Sequence, residues 1–136
     1  MQTQTFQVTT PAPREIWMNL LKSSPEALVT QSPAWLDCVC EIAGYTDASR
    51  LYEMEDGGYA VLPMVCRKFG LIKLPIEASF PSSWGFGGLL SSNPTQAKDV
   101  AAVFSDLIRQ PTLQIGIRTN PLAAEAWATA AIEQPN

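Results

Sequence analysis

Ser79-Phe80-Pro81-Ser82-Ser83-Trp84-Gly85-Phe86-Gly87-Gly88 is the stretch on which the reading of this chain turns. Two aromatics spaced by single glycines beside a Pro-Ser-Ser turn carry a cost. Glycine loses the most backbone freedom on folding, and an exposed Trp or Phe forgoes a large buried area. Such a loop is either a packing corner or the wall of a binding cleft. In the first case Trp84 and Phe86 fill the edge of the core while the glycines take positive φ. Both readings are open from the sequence.

Upstream of the loop, residues 51–55 and 59–66 flank Asp56-Gly57-Gly58, and Asp-Gly is among the strongest short hairpin signals. Residues 59–66 are apolar on both parities, which predicts a central strand covered on both faces. Pro63 inside it predicts a bulge or an unpaired ladder position. Phe69-Gly70 marks a further turn, and residues 71–76 a third strand of an antiparallel meander. Earlier still come a short strand at 5–9 and a helix with Pro13 in its first turn and Ile16, Trp17, Leu20 and Leu21 as its stripe. Ser32-Pro33 opens a second helix as N-cap and first-turn proline; its stripe is Trp35, Leu36, Val39, Ile42 and Ala43, and Gly44 closes it.

Downstream, Asn93-Pro94 predicts the start of the clearest amphipathic helix, with Ala97, Val100, Ala101, Phe104, Leu107 and Ile108 on one face. Pro111 stops it, and Leu113, Ile115 and Ile117 alternate with polar or small residues as a strand. Asn120-Pro121 opens a last, alanine-rich helix anchored by Trp127. The fold class is therefore α/β (α+β), in the order β-α-α-β-β-β-α-β-α, with a mixed, mostly antiparallel sheet and helices on both faces.

Composition bounds the chemistry. The chain has 136 residues, enough for one domain with a real core, and 16% charged residues against the usual quarter, which predicts surface covered by a neighbour. A net charge of -4 disfavours DNA, because neutralising phosphates takes clustered Lys and Arg. Arg67, Lys68 and Lys73 form a local basic group, read as a solvated hairpin end. The absence of histidine removes Ser-His-Asp triads, Cys-His pairs and the usual zinc sites. Cys38, Cys40 and Cys66 form no disulfide framework, which predicts free thiols and a cytoplasmic setting. No apolar run of spanning length occurs, so no membrane span is expected.

The order of elements is that of GNAT-type N-acyltransferases, which use acyl-CoA. Gln31-Ser32-Pro33-Ala34-Trp35, Asp56-Gly57 leading to Val61-Leu62-Pro63-Met64, and Ser82-Ser83-Trp84-Gly85-Phe86-Gly87-Gly88-Leu89 sharpen this. Together they resemble the N-terminal half of FemAB-like proteins, the peptidoglycan-bridge aminoacyltransferases and their acetyltransferase relatives. The resemblance spans residues 14–122. It implies a single GNAT-like domain over residues 1–136, the first half of a longer two-domain protein. Its partner would be a second GNAT-like half or a homodimer mate, and a small-molecule or peptide amine the acceptor.

GNAT domains that hold acyl-CoA place Gln or Arg, two variable residues, Gly, one variable residue, then Gly or Ala before a helix, so that backbone N–H groups receive the pyrophosphate. No Gln or Arg stands three residues before a glycine in the loop here. The resemblance thus implies no cofactor in this chain, with acyl-CoA or an aminoacyl donor on the other half. The acidic chain, with Asp37 and Glu41 on the second helix, also points away from an anionic cell-wall precursor.

For site residues, Tyr59, Arg67, Trp84, Gly85, Phe86, Gly87 and Gly88 are candidates for the acceptor cleft, though strand tyrosines and turn arginines are more often structural. Glu77 is a weak candidate for a general base, since partial burial at a strand end would raise its pKa; an exposed strand-end carboxylate is the commoner case. The expected role is to shape the acceptor side of a composite cleft without turnover by this chain alone. Its rival is a stand-alone binding or assembly module with a degenerate GNAT fold.

Overall fold

The computed structural model describes residues 6–54, 57–68, 75–81, 84–110 and 114–133. Within them the chain is mixed α/β, with eight strands and four α-helices. Asp56, Phe69-Gly70, residues 71–74 with Lys73, Ser82-Ser83 and residues 111–113 lie outside the described residues.

Strands β1 (Phe6–Thr9), β3 (Arg50–Met54), β4 (Tyr59–Leu62) and β7 (Leu90–Ser91) form one antiparallel sheet in the order β1-β3-β4-β7. Strands β2 (Thr46–Asp47), β5 (Val65–Lys68), β6 (Pro75–Ser79) and β8 (Gln114–Ile117) form a second, in the order β2-β5-β6-β8. Its β6–β8 pair is parallel and the others antiparallel. The expectation of one mixed sheet is corrected to two. The cause sits where it was expected, at Pro63, which has no N–H to give to a ladder. There the 59–66 segment divides, β4 staying in the first sheet and β5 entering the second. The neighbouring strand divides in step at Ala48-Ser49, and Ala48 N–H donates to Met64 O across the break at 2.8 Å.

Helices cover both faces. On one side α1 (Arg14–Ser23) and α2 (Pro33–Ala43) bury Trp17, Leu20, Leu36 and Val39 against Leu51, Val61, Val65 and Leu90. On the other, α3 (Ala97–Leu107) and α4 (Ala124–Glu133) bury Val100, Val103, Leu107, Trp127 and Ala130 against Tyr52, Ala60, Leu62 and Met64. Successive strand residues point to opposite faces, so Leu51 and Tyr52, or Val61 and Leu62, enter different cores. That is why β4 is apolar on both parities.

The predicted ends of α2 hold. Ser32 Oγ accepts from Trp35 N–H at 3.1 Å, Pro33 takes the first helical position, and Gly44 closes the helix in the left-handed region at φ 76°. Pro13 sits one residue before α1, as its N-cap. The start of α3 is corrected: Asn93-Pro94 stays in the preceding loop, and Gln96 is the N-cap. Asp99 Oδ2 accepts from Gln96 N–H at 3.0 Å, an acidic first-turn residue drawing the helix start three residues further on. Residues 90–91 add a strand to the edge of β4. Two stripe residues are also corrected, since Ile42 and Ile108 are exposed. No helix among the described residues is long and apolar enough to cross a membrane.

Candidate functional site

The loop after β6 is tied down from within. Trp84 N–H donates to Pro81 O, Gly87 N–H to Arg118 O, and Gly88 N–H to Ser79 Oγ at 3.1, 2.7 and 3.1 Å. Its carbonyls are held from the segment before α2 and from the first turn of that helix. Thr30 Oγ1 donates to Phe86 O, Gln31 Nε2 to Gly87 O, and Trp35 Nε1 to Trp84 O at 2.6, 3.0 and 2.8 Å. Gln31 is wholly buried; its Oε1 accepts from Leu28 N–H at 2.9 Å, and its backbone oxygen from Trp17 Nε1 at 2.8 Å. Asn120 completes the corner, Nδ2 donating to Glu26 O at 2.6 Å. Gly85 and Gly88 take φ of 87° and 80°, as the packing-corner reading requires. Gly87 has a different reason: a Cβ there would lie 2.6 Å from the Ser79 carbonyl oxygen. Trp84 packs edge-on against Trp35, with ring centroids 6.1 Å apart. Phe86 departs from the packing-corner expectation, remaining 45% exposed on the surface beside Thr30.

The other expected contributors are dispersed. Tyr59 is half-exposed at the first residue of β4, in a shallow recess with Met54, Ser91 and Gln96. Arg67 lies near the far end of β5, in the other sheet. It is not a plain solvated charge. Its guanidinium donates to Ala43 O at the C-terminus of α2 and lies 4.3 Å from the centroid of the Tyr45 ring, a cation completing a helix end. The three cysteines are half-buried.

Glu77 is buried, 5% exposed, against the commoner expectation for a strand-end carboxylate. Its Oε1 lies 3.5 Å from Arg50 Nη1, and Arg50 Nε lies 3.2 Å from Asp106 Oδ2. Tyr52 hydroxyl donates to the same Oδ2 at 2.7 Å, and Gln110 Nε2 to Oδ1 at 3.2 Å. Burial pushes the Glu77 carboxyl above the usual carboxylate range; Arg50 opposes this and Asp106 adds to it. Burial and the bond to Asp106 likewise push the Tyr52 hydroxyl upward. A raised pKa suits a base, but the Glu77 side chain is buried and faces Arg50.

Comparison with protein-family models, curated proteins and solved structures returns no match. The site is therefore read from its own geometry. A concavity the sequence reading missed is an open groove of about 700 Å³ between α3, β8 and α4. Phe104, Leu107, Ile115, Ile117 and Trp127 form most of its wall, with Gln110 and Thr119 as polar members. Arg50 and Asp106 were also missed. Their signal was present: Arg50 and Tyr52 share a strand parity, and Asp106 stands three residues after Val103 on the buried side of α3.

Proposed function

We propose that the chain is a GNAT-like domain similar to the N-terminal half of a FemAB-like N-acyltransferase. It shapes the acceptor side of a composite cleft and does not turn over alone. Two helices, a divided antiparallel meander, then a helix linking the parallel pair β6 and β8 support the GNAT-like reading of the fold. The observation that carries the functional reading is the internal use of the loop's polar groups. The Trp84, Gly87 and Gly88 N–H groups and the Pro81, Trp84, Phe86 and Gly87 carbonyls bond within the protein, and α3 starts only at Ala97. A pyrophosphate cradle needs such N–H groups aimed outward at a helix N-terminus. The loop is instead a rigid wall, presenting Phe86 and the Trp84 edge toward an acceptor. Acyl-CoA or an aminoacyl donor would be held by a second GNAT-like half.

Calorimetric titration with acetyl-CoA tests this. The expected result is no heat of binding up to millimolar ligand, and micromolar binding would overturn the proposal. The rival reading, a binding module with a degenerate GNAT fold, draws on the α3–β8–α4 groove, whose volume is in the range of small-molecule sites. Saturable quenching of Trp127 fluorescence by an apolar probe, absent in a Phe104→Arg variant, would favour that rival.

A further inference from the structure

The buried charges under α3 are shared unequally. Asp106 receives three side-chain donors, from Tyr52, Arg50 and Gln110, at 2.7, 3.2 and 3.2 Å. Glu77 meets only the long 3.5 Å approach of Arg50 Nη1 among the described residues. Both carboxylates and the guanidinium are at most 10% exposed by side chain, so water does little to share the charge. An ionised oxygen in such a place needs donors, and one guanidinium cannot satisfy two carboxylates fully. Five elements meet here. Arg50 and Tyr52 come from β3, Asp106 from α3 with Gln110 in the turn just after it, and Glu77 from β6, with Cys66 of β5 and Ile115 of β8 opposite Glu77 in register.

We propose that the cluster is a proton-held clamp: Glu77 carries a proton and Asp106 the charge, and this keeps the end of α3 on the sheet. While Glu77 is neutral, Arg50 and Tyr52 serve Asp106 and bind α3 to β3. When Glu77 gives its proton to solvent, its carboxylate competes for Arg50 and repels Asp106. The last turn of α3 then loosens, and with it Leu107 and Gln110 in the wall of the groove. The upward direction of the Glu77 shift, set by burial against the pull of Arg50 and with a smaller push from Asp106, agrees with this placement of the proton. The clamp is independent of the acyltransferase reading.

The sign follows from linkage. A carboxyl whose folded pKa is raised stabilises the fold relative to the unfolded chain below its unfolded pKa, and that stability is lost as pH rises through the folded value. The test is a carboxyl carbon-13 NMR titration of the whole chain, with amide exchange followed over the same pH series. Glu77 is expected to titrate above an ordinary glutamate. Exchange in the last turn of α3, corrected for intrinsic rates and referred to α1, is expected to rise about tenfold for each unit of that displacement. Glu77→Gln, which mimics the protonated state, is expected to abolish the rise. A Glu77 midpoint at or below about 4.3, the unperturbed value, would overturn the proton placement. A rise equal in α1 and α3 would overturn the clamp. Should the variant not fold, the two wild-type measurements decide both points.

Discussion

Gly87 and Gly116 show how differently two glycines can be held. At Gly87 a Cβ would overlap the Ser79 backbone, whereas at Gly116 it would meet nothing within 4 Å. Gly87→Ala is therefore expected to cost about 2–3 kcal/mol, since overpacking against backbone leaves nothing flexible to yield. Gly116→Ala is expected to be neutral or stabilising by about 0.5 kcal/mol through the unfolded state. Urea unfolding of the two variants beside the wild type measures both; equal midpoints would refute the contrast. In the sequence these glycines look alike. The loop's composition announced a constrained corner, and positive φ at Gly85 and Gly88 follows from it. The close approach to Ser79 depends on a strand folding back beside the loop, which no local pattern records. Gln31 was hidden for the same reason. It was read within the segment leading to α2, but its amide spans 56 residues of sequence to reach Gly87 O.

Among the elements, α2 was legible at both ends because its signals are local. Ser32, Pro33 and Gly44 act on the backbone within one turn of themselves. Ser32→Ala is expected to cost about 1 kcal/mol, with helical content otherwise retained, as read by circular dichroism during thermal unfolding. A loss well beyond that would mean the serine also supports the loop that Trp35 bonds. The start of α3 was misplaced because Asn93-Pro94 carries the same local signal as Ser32-Pro33. There the chain first lays Leu90–Ser91 against β4, and Asp99 supplies a better start further on. A capping signal tells where a helix can begin. Whether it begins there depends on where the chain is already committed.

For the whole molecule, the alternation of apolar residues predicted the two covered faces, and the two cores follow it residue by residue. The division into two sheets and the groove between α3, β8 and α4 were not legible, for both depend on how distant elements meet. The buried cluster was half visible: Glu77 was singled out as a base, while Arg50 and Asp106, which account for its burial, lie 27 and 29 residues from it in sequence.

The paired break at Pro63-Met64 and Ala48-Ser49 bears on which changes in length the chain can survive. Side-chain orientation along a strand is a count of two, so one residue more or fewer turns every later side chain to the opposite face. β4 and β5 are joined by two residues and feed different sheets, so an insertion there would turn Val65 out of its core and carry Cys66 in behind it. The hairpin tip is different, since Gly57 has open space around it. One alanine inserted after Gly57 is expected to leave a cooperative thermal transition, and one inserted after Pro63 to abolish it. The joint should thus tolerate changes of residue far better than changes of number, so that spacing rather than identity is what descent would preserve there.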